Sequence, residues 1–242
     1  MGAGPDPGDG AGLALAASTN LTIPLATLLA LAGRPGQGHG LGPVDPGLAR
    51  DLAAAAARSP HSTWCITITS PDGYAIGHGC ARPARTRHGK APPARGRDGP
   101  WALTPRDDPG PPGGYGTWTL TLPGGRQLAV KLGPLPAGDC DHRHESHGYQ
   151  PGDTLRHLVQ IRDGDCTFPP CSRHARESDF EHALPYDQGG RTCLCNAGAR
   201  SRRCHQVKQS RGWTVTQPRP GWHQWTTPSG RTYTQEPKKY PA

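Results

Sequence analysis

Hydrophobic and polar positions recur with a helical period near the start of this chain. Residues 23–31 have helical spacing, and residues 48–58 are almost all strong helix formers. Asp45 precedes the second segment as an N-cap, and Pro46 suits its first turn. The pattern therefore predicts two helices in the N-terminal third.

Later segments alternate with the period of two that is typical of β-strands. Two hairpins and a three-stranded meander are predicted, each with Gly- or Pro-containing turns. Their segments are residues 63–69 with 74–76, 118–122 with 126–132, and 213–217 with 222–226 and 231–235. A short helix over residues 154–162, capped by Asp153, is predicted between the second hairpin and the meander.

The composition argues against one large core. Apolar residues make up 33%, and the 34 glycines and 28 prolines are about a quarter of the 242 residues. We therefore expect small ordered islands. Residues 1–20 are expected to be disordered, and residues 82–114, with seven Arg and Lys against one Asp over 82–106, are interpreted as a basic linker.

The charge favours an anionic partner. The formal net charge is +8 and the pI is about 9.3, which favours DNA or RNA, with DNA the preferred partner. The apolar run 21–32 is too short to span a membrane and contains Pro24, and the first ten residues lack a basic signal region. We expect a cytoplasmic protein with no membrane partner, and the sequence indicates no protein partner.

Eight cysteines in a cytoplasmic protein favour metal binding or catalysis over disulfides. Five of them lie between Cys166 and Cys204, in a segment rich in Arg and His. The segment Cys140-Asp-His142-Arg-His-Glu-Ser-His147 is a second metal-cluster candidate, but flexible polar chain is the favoured interpretation of it.

Four short motifs occur in order in the last hundred residues. They are Cys166-x4-Cys171, Glu181-His182 with Pro185 after it, Gly189-Gly190 leading to Cys193-x-Cys195-Asn196, and Cys204-His205 followed by Lys208. Over residues 150–242 this order resembles the HNH endonucleases of the ββα-metal superfamily. Residues 21–81 resemble the end of a "domain of unknown function 222", which precedes such nucleases in bacterial proteins and whose helical front part is largely missing here.

The resemblance implies an α+β fold and a role for each matched residue. The fold would be a zinc-stabilised ββα-metal domain with flanking β-hairpins, preceded by a hairpin and connector over residues 115–149. His182 would be the general base, as a neutral imidazole suits that role. Glu181 and His205 would hold Mg²⁺ or another divalent cation. Asn196 would pin the loop and orient the base, or help with the metal.

The resemblance also implies a structural zinc ion. Cys166, Cys171 and Cys204 would supply three of its four ligands. Many relatives have a fourth cysteine three residues before Cys204, where this chain has Ser201. Cys193 or Cys195 can substitute, with Cys195 preferred because it adjoins Asn196, and loss of the zinc site remains the alternative.

Local geometry restricts this assignment. Glu181 and His182 face opposite sides of a regular strand, so both serve one phosphate only if the strand ends or bulges there. Cys204 and His205 diverge by about 100° on a helix and should serve different ions. Arg202, Arg203 and Lys208 would line the helix against phosphates, or form a solvated basic face.

Two functions compete with a DNA endonuclease. One is a zinc-stabilised module that binds nucleic acid without cutting it, and the other is a truncated product without function. Trp213, Trp222, Trp225 and Tyr233 can stack on bases, but packing of the meander is the favoured interpretation.

Overall fold

The protein has a mixed α+β fold with few helices and several small sheets. The computed structural model describes residues 20–83 and 99–241, so the predictions for residues 1–19 and 84–98 lie outside it. The helices are α1 (Leu25–Leu28), α2 (Pro46–Arg58), α3 (Asp153–Asp163) and α4 (Arg202–Gln209). The strands are β1 (Leu21–Thr22), β2 (Gly36–Gly38), β3 (Gly42–Val44), β4 (Cys65–Thr69), β5 (Ala75–Pro83), β6 (Ala102–Pro105), β7 (Thr117–Thr121), β8 (Gln127–Lys131), β9 (Gly133–Pro134), β10 (Asp179–His182), β11 (Ala197–Arg200), β12 (Thr214–Arg219), β13 (Trp222–Thr226) and β14 (Thr232–Gln235).

The N-terminal caps predicted from the sequence are present at α2 but not at α3. The Asp45 carboxylate accepts hydrogen bonds from the backbone N–H groups of Gly47 and Leu48, which confirms the predicted cap of α2. The predicted cap of α3 is wrong. Asp153 is the first helical residue, Gly152 occupies the cap position, and no side chain caps the helix.

Residues from both predicted hairpins form one sheet. Its order is β4-β5-β8-β7-β6, with β9 paired to β5, and all recorded pairs are antiparallel. The linker interpretation of residues 82–114 is therefore wrong for β6, which pairs with β7. Leu120, Leu128 and Val130 are buried together on one face of the sheet, and Leu103 of β6 lies opposite Leu120 and packs against the same cluster.

A second apolar core surrounds α3. Leu155, Leu158 and Val159 pack with Leu194, Ala197 and Ala199, which lie just before and within β11. At the end of α3, the buried pair Arg162 and Asp163 reaches the same segment. The guanidinium donates to the carbonyls of Leu194 (2.7 Å) and Ala197 (2.6 Å), and Asp163 accepts from the Ala199 N–H. Helix α3 thus holds β11 in place through apolar packing and through the hydrogen bonds of Arg162 and Asp163.

The last hundred residues contain two further small sheets. Strands β10 and β11 form an antiparallel pair that leads into α4, and β12-β13-β14 form the predicted meander. Trp225 of the meander is fully buried, and its indole N–H donates to the Thr167 carbonyl at 2.7 Å. Its ring also meets Phe168 and Trp213 edge to face, so these aromatic side chains pack against one another.

Among the described residues, the longest helix is α2, and none is both long and apolar enough to cross a bilayer.

Candidate functional site

The two faces of β10 carry different chemistry. Its pairing with β11 is regular through His182, which faces Ala197. Asp179 and Glu181 lie on the face toward α4, where both contact His205. Phe180 and His182 lie on the other face, with their rings 5.5 Å apart. The strand therefore separates the acid of the Glu181-His182 motif from its imidazole.

Glu181 and His205 meet across the gap between β10 and α4. The Glu181 Oε2 atom lies 3.1 Å from His205 Nε2, and both side chains are mostly buried. Asp179 Oδ2 lies 3.2 Å from the other ring nitrogen of His205. Two carboxylates and one imidazole thus converge at the start of α4.

Lys208 completes this cluster from one turn further along α4. Its Nζ lies 2.6 Å from Glu181 Oε1 and also donates to the His182 carbonyl. Burial lowers the pKa of Lys208, opposed by its hydrogen bond with Glu181. The prediction that Lys208 contacts nucleic acid is wrong for this arrangement, because the ammonium group points inward.

Arg202 and Arg203 remain on the outer face of α4. Both are exposed, and Arg202 makes an ion pair with Asp179 at 3.2 Å. These two guanidinium groups are placed where a polyanion can reach them.

The imidazole of His182 is buried in an aromatic pocket. Its Nε2 lies 2.9 Å from Thr192 Oγ1, and the Tyr149 ring stacks on it at 5.4 Å. Burial is the main cause that lowers the pKa of His182 below 6.5, although Glu181 opposes it. The ring is therefore neutral at pH 7, as a proton acceptor must be.

Asn196 clamps the loop that follows β10. Its Oδ1 accepts from the Leu184 N–H at 2.7 Å, and its Nδ2 donates to the carbonyls of Leu184 and Arg191. Gly190 makes this clamp possible, because a Cβ there would collide with the Leu184 carbonyl and lie 2.8 Å from Asn196 Nδ2. Both polar atoms of the Asn196 side chain are thus used in hydrogen bonds to backbone groups of Leu184 and Arg191. Among the described residues, neither hydrogen-bonds Glu181 or His205.

Arg200 provides a buried positive charge behind the site. Its Nη1 donates to the His182 carbonyl at 3.2 Å and lies 4.0 Å from Glu181 Oε1. Complete burial lowers the pKa of Arg200 to about 10, although the carboxylates of Glu181 and Asp163 oppose the shift. The guanidinium remains charged at pH 7.

All eight cysteines lie in three groups whose ligand atoms converge. In each group the nitrogen and sulfur atoms lie within 4.8 Å of one another, which is close enough for a metal ion such as zinc wherever the cysteines are free thiols rather than a disulfide. We call them the three-cysteine group (Cys166, Cys171, Cys204), the connector group (Cys140, His142, Cys193, Cys195) and the cross-strand group (Cys65, His78, Cys80, His157).

The three-cysteine group ties the Cys166–Cys171 knuckle to α4. Cys166 and Cys204 are buried, and the Ser201 hydroxyl lies 3.7 Å from Cys171 Sγ while it caps α4. The expectation that Cys195 completes this set is wrong, because Cys195 belongs to the connector group. Neighbours on α4 thus serve different sites, with Cys204 in this group and His205 beside Glu181.

The connector group joins Cys140 and His142 to the two cysteines that were expected near the structural zinc ion, Cys193 and Cys195. Its members come as two close pairs, Cys140-x-His142 and Cys193-x-Cys195, separated by about fifty residues. Interpretation of the first pair as flexible polar chain was wrong. The signal that could have revealed the group was the presence of two pairs with one-residue spacing, one on each side of α3.

The cross-strand group links the six-stranded sheet to α3. Cys65 and Cys80 face each other in β4 and β5 and form a disulfide, so the expectation of no disulfides is wrong for this pair. The Nε2 atoms of His78 and His157 lie 3.0 Å apart beside it. Burial is the main cause that lowers the pKa of His78 to about 4.

Three relatives in Mycobacterium tuberculosis match part of the chain. The uncharacterized protein Rv3776 is 38% identical over 103 residues, which cover 40% of this chain and 18% of that protein. The uncharacterized proteins Rv2100 and MT2160 are each 33% identical over 147 residues, 56% of this chain and 26% of theirs. The chain therefore spans about a quarter or less of these relatives.

No protein-family model matches the chain, and no solved structure matches it.

Proposed function

We propose that this chain is a metal-dependent endonuclease of the HNH type, which hydrolyses phosphodiester bonds in DNA. The observation that carries the proposal is the 3.1 Å approach of Glu181 Oε2 to His205 Nε2, between the end of a strand and the start of a helix. The succession of β10, β11 and α4 also follows the element order of ββα-metal nucleases. The two residues of the motif to which the resemblance gives the cation, Glu181 and His205, therefore meet in space.

The donor set at this point fits a hydrated divalent cation. Mg²⁺ binds proteins through one or two carboxylates, keeps several waters and takes further oxygens from phosphates. Glu181 and His205 would hold the ion, and Asp179 is the nearest additional carboxylate. Such a cation would neutralise charge that develops on the phosphate and lower the pKa of a bound water.

The chain's own residues supply the remaining requirements. Neutral His182 would accept a proton from the attacking water at a ring nitrogen, held by Thr192. Exposed Arg202 and Arg203 would bind flanking phosphates and position the strand. Asn196 would fix the loop that carries the residues after His182.

One observation favours a second function, a zinc-stabilised module that binds nucleic acid without cutting it. The His182 ring lies on the face of β10 opposite Glu181, and the Lys208 ammonium already neutralises one Glu181 oxygen. Cleavage requires the ring and the cation to reach one phosphate, whereas binding requires only the exposed arginines and the fold.

A nicking assay separates the two functions. Supercoiled plasmid is incubated with zinc-loaded protein and Mg²⁺ or Mn²⁺, using the wild type, His182→Ala, His205→Ala and the exposed control His147→Ala. The proposal predicts cation-dependent nicking that falls by about 100-fold or more in His182→Ala, falls in His205→Ala and persists in the control.

Two outcomes would contradict the nuclease. One is nicking by His182→Ala at the wild-type rate. The other is salt-sensitive DNA binding by folded, zinc-loaded wild type with no cleavage under either cation, which would establish the binding module instead.

A further inference from the structure

We propose that the connector group binds one zinc ion through Cys140, His142, Cys193 and Cys195, separately from any ion at the three-cysteine group. The same ion would fasten the segment before α3 to the segment that carries Asn196. The zinc site stands on geometry alone, while its effect on His182, argued last, rests on the proposed function.

The spacing of the four ligand atoms is that of a tetrahedral zinc site. Zinc–sulfur bonds of about 2.3 Å and zinc–nitrogen bonds of about 2.0 Å place tetrahedral ligand atoms roughly 3.5 to 3.8 Å apart. Here Cys140 Sγ lies 3.5 Å from Cys193 Sγ. The His142 Nδ1 atom lies 3.3 Å from Cys193 Sγ and 3.7 Å from Cys195 Sγ. These three distances are close to the tetrahedral values, and all four ligand atoms lie within 4.8 Å of one another.

The burial of the group also suits a structural zinc site. Cys193 is fully buried and the other three ligands are half-buried. A four-ligand set leaves no coordination position for substrate, which is the arrangement of structural rather than catalytic zinc.

His142 is held in a backbone conformation that needs support. Its φ is +57°, in the left-handed region that non-glycine residues enter only at an energetic cost. Such a residue persists when its surroundings fix it. The contact of Nδ1 with two cysteine sulfurs shows what would fix it, because a zinc bond at that atom holds the ring and therefore its backbone.

Polar contacts already align the two segments that the ion would join. The Ser146 N–H donates to the Thr192 carbonyl at 2.9 Å, and Arg191 makes an ion pair with Glu145 at 2.8 Å. Exposed ion pairs contribute little to stability. A zinc ion that closes the loop between Cys140 and Cys193 would be the dominant link.

The fastened segments carry the two side chains that position His182. Tyr149 stacks on the imidazole, and the Thr192 hydroxyl hydrogen-bonds its Nε2. Thr192 directly precedes Cys193 in the chain. If the proposed function holds, the connector group is therefore a positioning device for the general base, and none of its ligands is a catalytic residue.

The first test uses the wild-type chain without substitution. The chain is expressed with zinc, and native mass spectrometry counts the zinc ions bound per chain. The cysteines are then alkylated in two samples, one untreated and one treated with a chelator, and the modified residues are identified. Cys140, Cys193 and Cys195 should be protected together and become reactive together when zinc leaves. A Cys140–Cys193 disulfide, or reactivity that chelation does not change, would overturn the zinc site.

The second test compares variants by zinc content per chain. Cys140→Ser should hold one zinc fewer than the wild type, Cys140→His should keep it because imidazole is also a zinc ligand, and His147→Ala on the same segment should match the wild type. Equal zinc in folded Cys140→Ser and wild type would overturn the proposal. If Cys140→Ser does not fold, the alkylation result decides.

The same variants test the positioning role. Nicking should fall at least tenfold in Cys140→Ser and recover in Cys140→His. Loss of zinc with unchanged nicking would refute the positioning role and leave the zinc site intact. A wild type that does not nick would refute the proposed function, and the zinc count would still decide the site.

Discussion

The six-stranded sheet and the β10–β11–α4 unit are held together differently. The core of the sheet is mostly aliphatic, with Leu120 and Val130 in its strands and Leu122 just after β7, and the Cys65–Cys80 disulfide joins two of its strands. In the β10–β11–α4 unit the buried apolar residues are the small Ala197 and Ala199, and the larger buried side chains are charged, polar or sulfur-bearing: Glu181, His182, Arg200 and Cys204.

The contrast has a physical meaning for function. Burial of a large aliphatic side chain stabilises a fold by about 1.5–3 kcal/mol without a specific partner. A buried charge does not stabilise the folded state unless oppositely charged or hydrogen-bonding partners surround it. Removal of one partner then lowers the free energy of unfolding substantially. The sheet should therefore tolerate conservative apolar changes, whereas the unit with the site should depend on single polar contacts and on metal.

The largest effect is expected at the buried pair that joins α3 to β11. Arg162→Met removes three hydrogen-bonding contacts and leaves Asp163 buried without its ion-pair partner, so the free energy of unfolding should fall by about 3–5 kcal/mol. Urea unfolding measures it. The exposed Arg173→Met, which loses only an ion pair with Glu177, should cost less than about 1 kcal/mol. Equal losses would show that the α3 contacts do not hold the unit.

An intermediate effect is expected at the loop clamp. Gly190→Ala places a Cβ against the Leu184 carbonyl and Asn196 Nδ2, which should cost about 1–3 kcal/mol and displace the loop after His182. Thermal unfolding and plasmid nicking should both report the loss. Gly138→Ala is the matched control, because nothing lies within 4 Å of its added Cβ. A Gly190→Ala variant as stable as that control would contradict the clamp.

The smallest effect is expected in the pH dependence of stability. His223 is fully buried, its ring nitrogens have no hydrogen-bond partner among the described residues, and burial first, then Arg200 and Arg162, lowers its pKa well below 6.5. Below about pH 6.5 His223 takes up a proton in the unfolded chain but stays neutral in the folded chain. The free energy of unfolding is therefore highest above that pH and falls as the pH is lowered. His223→Leu should flatten this loss, as measured by denaturation between pH 7 and pH 5. An unchanged slope, equal to that of His147→Ala, would contradict it.

The regular elements were predictable because local signals determine them. Asp45 and Pro46 start α2, and alternating residues with Gly turns mark the second hairpin and the meander. The pairing of β6 with β7 was not predictable, because a four-residue strand beside Pro- and Gly-rich chain carries little periodicity.

The membership of the metal-ligand groups was only partly predictable. The Cys166–Cys171 spacing indicates a knuckle, but the fold decides which distant residues join it. Cys193 and Cys195 lie closer in sequence to Cys204 than to Cys140, yet the antiparallel bridge between Thr192 and Ser146 places them beside the connector. The opposite faces of Glu181 and His182 follow from strand alternation once the strand is known to include His182.

Hydrogen exchange with and without a chelator tests the contrast between the two regions most directly. The zinc-loaded chain and the chelated chain are compared peptide by peptide under non-reducing conditions, which keep the Cys65–Cys80 disulfide. The account predicts that protection falls in residues 140–149 and 166–209 and is retained in β7 and β8 of the sheet. Protection that falls equally in both regions, or in neither, would contradict it.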